Sequence, residues 1–102
     1  MDTLIKDPDS TVDIVFDWAT WLQSGETISA SEWEVTVEGA AVSPAELDFV
    51  VGTDTNTTSR TTVQLEGGEI GRVYEVRNRV TTTGLANPNI QDQMVLVLVE
   101  PL

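Results

Sequence analysis

The acids Asp7, Asp9, Asp13 and Asp17 recur closely enough to hold a cation between them. A calcium loop of the EF-hand type starting at Asp7 needs glycine at its sixth place and glutamate at its twelfth. Val12 and Trp18 stand there instead, so that loop is excluded. Glu32 and Glu34 form a second carboxylate pair, and paired carboxylates run glycoside hydrolysis. Two residues apart on a strand, however, they share one solvated face rather than flanking a bond. Gly67, Gly68 and Gly71 are not followed by the Lys-Ser/Thr of a phosphate loop. Arg77 and Arg79 read as cross-strand partners for surface acids. Asn56-Thr57-Thr58 matches a glycosylation acceptor, which carries weight only in a secreted chain.

The chain has no histidine and no cysteine. That removes the Ser-His-Asp triad, the thiol nucleophile and the cysteine type of zinc site. No catalytic constellation remains, so an enzyme is not expected, and neither is a cofactor or a metal. Trp18 and Trp21 are the last candidates for small-molecule chemistry. They form either a stacking platform for carbohydrate or an apolar plug at one end of the fold.

The charge is strongly one-sided: 17 acids against five cations give −12. Residues 1–59 carry −11 of this and residues 60–102 only −1. Such a field repels nucleic acid and anionic membranes and keeps a protein soluble. The N-terminal MDTLIKDPDS has no apolar core of a signal peptide. The longest apolar run, Met94–Val99, is too short to span a bilayer. A soluble protein with no signal peptide is expected. At 102 residues, one domain is expected.

Alternation of apolar and polar residues locates the elements that position these groups. Strands are expected at Thr11–Asp17, Thr27–Ala30, Trp33–Val37, Leu47–Val51, Thr61–Glu66, Val73–Val80 and Met94–Val99. The parity of apolar positions changes between Ala30 and Trp33, which predicts a bulge near Ser31-Glu32. Trp18, Trp21 and Leu22 lie on one side of a short helical turn, capped by Asp17 and ended by Ser24-Gly25. Residues 1–10 are polar apart from Leu4 and Ile5 and read as an extended arm ahead of a domain at 11–102. Turns are expected at Glu38-Gly39 and around Val42-Ser43-Pro44.

The chain is organised around Gly67–Gly84. There Tyr74, Val76, Asn78 and Val80 alternate with Val73, Glu75, Arg77 and Arg79. Gly71-x-x-Tyr74-x-Val76 resembles the tyrosine corner of immunoglobulin-like sandwiches, whose tyrosine hydroxyl bonds to backbone a few residues upstream. The expected fold is all-β: one immunoglobulin-like sandwich of about seven strands, with the helical turn and the N-terminal arm. Parity assigns Phe16, Trp33, Val35, Val63, Leu65, Tyr74 and Val76 to its core, with Trp33 as the central tryptophan. Met94–Val99 is apolar on both faces, so it lies centrally beneath other cover or packs against another subunit. Interface candidates are therefore Val97 and Leu98, with Leu4 and Ile5 from the arm and Trp18 and Trp21 from the turn.

Four pieces in this order resemble a family of small tailed-phage virion proteins, the fibre–tail adaptors. They are Lys6-Asp7-Pro8-Asp9-Ser10; Asp17-Trp18-Ala19-Thr20-Trp21-Leu22 with Gly25-Glu26-Thr27-Ile28; Gly67-Gly68-x-x-Gly71-x-x-Tyr74-x-Val76-x-Asn78-Arg79-Val80-Thr81-Thr82; and the terminal apolar strand. The resemblance implies an immunoglobulin-like sandwich in the virion, in several copies or as a homo-oligomer. Its partners would be tail, fibre or capsid proteins. It implies no active site. It leaves two virion roles open, an adaptor between tail or neck and fibre, and a cement protein of the capsid. Family members often continue from the Thr-Thr-x-Gly turn into a basic strand, whereas MVLVLVEPL carries no cation.

Overall fold

The computed structural model describes residues 2–37, 40–41, 47–50 and 52–101. The turns expected at Glu38-Gly39 and Val42-Ser43-Pro44 lie outside the described residues, as does Val51. The strands are β1 (Asp2–Lys6), β2 (Thr11–Asp17), β3 (Thr27–Val37), β4 (Ala40–Ala41), β5 (Asp48–Phe49), β6 (Thr55–Asn56), β7 (Arg60–Glu66), β8 (Val73–Thr83) and β9 (Ile90–Val99). They form two sheets. The larger runs β1-β9-β8-β3-β4, and the smaller runs β2-β7-β5 with β6 also on β7. The two inner faces close on one core that joins Ile14, Leu47, Val63 and Leu65 to Val35, Tyr74, Val76, Val95, Val97 and Val99.

Period-two patterning decides which side chains enter that core. Along β8, Tyr74, Val76, Asn78, Val80 and Thr82 are buried, while the intervening residues are exposed or half-buried. Along β9, Val95, Val97 and Val99 turn inward. Placing β2-β7-β5 against β3-β8-β9 makes a two-layer all-β sandwich, in a strand order compatible with the immunoglobulin-like type. The corner before β8 agrees with that arrangement, since the Glu69 amide donates to the Tyr74 hydroxyl at 3.0 Å.

Several details differ from the sequence reading. The segments Thr27–Ala30 and Trp33–Val37 are one strand, and its register slips between Ile28 and Ala30 rather than at Ser31-Glu32. The extra residue is Ser29, whose hydroxyl donates to the Thr81 carbonyl at 3.0 Å. No helix occurs among the described residues. After β2 the chain makes a single turn in which the Trp21 and Leu22 amides both donate to the Trp18 carbonyl. Asp17 caps it, accepting from the Ala19 amide at 3.0 Å.

The central tryptophan is Trp18, 1% exposed, and not Trp33. Trp33 is half-buried and stacks on Phe16 with ring centroids 5.5 Å apart. Its indole N–H donates to Asp54 at the rim. Phe16 is likewise half-buried, whereas Val35, Val63, Leu65, Tyr74 and Val76 are buried.

Residues 2–6, read as an arm, are extended and pair in parallel with β9. Lys6 ends this strand with its side chain wholly buried. Its ammonium donates to the carbonyls of Gly67 at 2.8 Å and Asp7 at 2.9 Å. Burial pushes this amine below its ordinary pKa, against the pull of Asp7, Asp9 and Glu66. Two carbonyl acceptors satisfy a cation that would otherwise be costly to bury.

Candidate docking surfaces

Polar groups inside the sandwich are spent on holding it together. The Trp18 indole N–H lies 3.2 Å from the Thr61 hydroxyl and 3.1 Å from Asn78 Oδ1. Thr61 donates to the same Oδ1 at 2.7 Å. The Asn78 amide nitrogen donates to the Ser31 hydroxyl and the Glu32 carbonyl. Thr61 belongs to the smaller sheet and Asn78 to the larger. This network therefore ties the two layers through one indole.

Nearby, Glu26 is 7% exposed. Its carboxylate accepts from the Thr82 hydroxyl, the Gln23 amide and the Asn89 side chain. The Thr82 hydroxyl above all, then the Gln23 amide and Asn89, hold its pKa below the ordinary glutamate value. Above that ordinary value, folded and unfolded chains are both ionised and the contribution to stability is fully present. As pH falls, the unfolded chain takes up the proton first, and the contribution is lost through the folded pKa. Asp92 is also lowered, by Arg79, and Asp17 by the Ala19 amide and then Arg60. Stability should therefore fall on acidification below about pH 4.5. Glu26→Gln should flatten that acid limb. Equal slopes for the two proteins in denaturant titrations across this range would remove Glu26 from the account.

The outer face of the larger sheet is built differently at its two ends. Across one row Ile5, Leu98 and Val73 are neighbours, and across the next Thr3, Leu96 and Glu75. Met94 follows, opposite Arg77. Ile5 is 49% exposed, Val73 45% and Met94 36%, and Leu96 and Leu98 are half-buried. Ile70, in the turn ahead of Val73, is also exposed. Ile5, Val73, Leu96, Leu98 and Met94 make an apolar strip on an otherwise charged face. Farther along, Arg77 pairs with Glu34 at 2.9 Å, and Arg79 binds Asp92 through two bonds of 2.8 and 3.1 Å. Burial of that half would gain little, because its charges already satisfy one another.

The expected interface residues divide on this geometry. Ile5 and Leu98 belong to the strip. Leu4 turns inward and packs against the core. Trp18 and Val97 lie inside the fold, at 1% and 0% exposure, because their strand parity and the turn after β2 direct them there. Trp21 stands apart, 62% exposed. Val73 and Ile70 were missed. The available signal was Val73 itself, an apolar residue sharing parity with Glu75, Arg77 and Arg79.

No group of three or more metal-ligating side chains occurs among the described residues. A cleft of about 240 Å³ is lined by Trp33, Phe49, Val50, Gly52, Asp54 and Val63. Its one acid, Asp54, is engaged by the Trp33 indole.

A family model described as podophage GP4 fiber-tail adaptor protein gp77 matches residues 6–97. The chain belongs to this family. The match begins at the buried Lys6 and ends within β9, so it takes in both sheets. No curated protein and no solved structure matches the chain. Membership of the adaptor family makes this a structural component of a phage virion. The Gly67–Thr82 stretch that carries the resemblance holds the tyrosine corner and Asn78, which are scaffold features.

Proposed function

We propose that this protein is a non-enzymatic adaptor, made in the host cytoplasm and carried in several copies in the virion, that links tail or neck to fibres through protein–protein contacts. The observation that supports this most directly is the strip of Ile5, Val73, Leu96, Leu98 and Met94. An isolated chain leaves it uncovered. Burying aliphatic side chains of this kind contributes roughly 1.5–3 kcal/mol each, enough for two or three to favour a specific contact after the costs of association.

The carbohydrate-binding alternative needs Trp18 and Trp21 side by side on the surface. Trp18 is buried and hydrogen-bonded, which counts against it. The capsid-cement alternative uses the same kind of surface, and a sedimentation experiment separates the two. The wild-type chain is expected to co-sediment with purified tail and fibre proteins of its phage and not with capsids. Val73→Asp combined with Leu98→Asp should abolish this while the far-UV spectrum stays that of a β protein. Val15→Asp, on the outer face of the smaller sheet, serves as the control and should bind normally. Capsid binding alone would replace the adaptor role with cement, and undiminished binding by the double variant would rule out the strip.

A further inference from the structure

We infer that the open edge of β1 is an acceptor for an extended segment of another protein, which adds to the larger sheet as a further strand beside the apolar strip. The segment alternates apolar residues with lysine or arginine.

Among the described residues, β1 ends the larger sheet. In a parallel ladder a residue turns its N–H and its C=O to the same neighbour. The Lys6 carbonyl accepts from the Glu100 amide at 2.9 Å, so Lys6 and Leu4 face β9. Thr3 and Ile5 then present their amides and carbonyls to the open side. Unpaired edge groups of this kind template strand addition, with backbone bonds giving affinity and alternate side chains giving specificity. The side chains of Thr3 and Ile5 lie on the outer face, in rows with Leu96 and with Leu98 and Val73. An added strand would thus extend the apolar strip by one more row. The edge of β2 has no such continuation, since Asp13 and Asp17 flank Val15 on its outer face.

Charge decides the kind of occupant. All five cations of the chain are already engaged within it. Arg60 pairs with Asp17, Arg72 with Glu69, Arg77 with Glu34 and Arg79 with Asp92. Lys6 is buried on two carbonyls. Beside Lys6, the last residue of this edge strand, stand Asp9 and Glu66, and the Glu100 amide donates to the Lys6 carbonyl. A second copy, with its own net charge of −12, has no uncommitted cation to offer them. A basic strand of a different protein does. The inference rests on the adaptor reading only in assigning that strand to a tail or fibre protein.

The test uses the full chain and a capped synthetic peptide alternating valine with lysine and threonine. At saturating peptide, exchange of the Thr3 and Ile5 amide protons should slow by about tenfold or more, as newly bonded amides do. The same peptide with glutamate for lysine should leave them unchanged. Ile5→Pro removes a donor from the open side only and is compatible with an edge strand. It should abolish binding without lowering Tm appreciably. Thr3→Pro tests the same edge should the first variant unfold. Absence of protection, or peptide binding retained by a folded proline variant, would overturn the inference. So would self-association of the wild-type chain that either proline variant abolishes, because the occupant would then be a second copy. These results stand whether or not the chain co-sediments with tail and fibre proteins, so the edge and the adaptor role fail separately.

Discussion

Trp18→Ala should lower the stability of the fold by about 3–5 kcal/mol, the range for removing a large buried aromatic side chain. The indole fills the end of the sandwich against Ile28 and Val80, with Phe16 and Leu22 alongside. Its N–H also reaches Thr61 and Asn78, one on each sheet. Alanine would leave a cavity at the junction of both layers. Trp18→Phe separates the two contributions: it keeps most of the apolar bulk and removes the donor. Asn78 Oδ1 would still accept from Thr61, so the loss should be nearer about 1–2 kcal/mol. Trp33→Ala should cost distinctly less than Trp18→Ala, because Trp33 is half-buried and its N–H is held at the rim by Asp54. Urea denaturation of the three variants checks the order. A Trp33→Ala loss equal to or above that of Trp18→Ala would return Trp33 to the centre of the core.

Gly84→Ala should destabilise by about 2–5 kcal/mol, from two additive causes. The backbone at Gly84 has φ of +97°, a region that costs an L-residue roughly 1–2 kcal/mol. A Cβ there would also lie 2.0 Å from the Gly25 carbonyl oxygen. That obstacle is backbone and cannot rotate away, so the two loops must part. Both loops flank the Glu26 site, where Thr82 and Asn89 meet the carboxylate, so the displacement reaches a buried polar cluster. Gly25→Ala is the matched control. Gly25 also has positive φ, +85°, but a Cβ there meets nothing within 4 Å. Its loss should be confined to the conformational part, about 1–2 kcal/mol. Melting curves showing equal losses at the two glycines would mean that the close approach of the loops is absent in solution.

Much of the fold was legible in the sequence because a strand is a local object. The alternation in Thr11–Asp17, Thr61–Glu66 and Tyr74–Val80 set both the strands and their inward faces, and Gly71-x-x-Tyr74 marked the corner. The absence of histidine and cysteine narrows the available chemistry by composition alone. The charge balance pointed away from nucleic acid for the same reason, since it depends on composition alone.

Tertiary structure decided what depends on neighbours distant in the chain. Lys6 looked like one more polar residue of an arm. It is buried because β1 docks on β9 and brings its ammonium to the Gly67 carbonyl, 61 residues away. Trp18 and Trp21 are the same residue type three positions apart. Only the path of the turn after β2 puts the first in the core and the second in solvent. Met94–Val99 is apolar on both faces in sequence. Its face toward the smaller sheet became core, and its other face, joined by Ile5 from β1 and Val73 from β8, became the surface strip. Composition and periodicity determined which residues alternate. Which side of that alternation meets water was settled by the packing of the second sheet, because burial is a relation between strands and not a property of one.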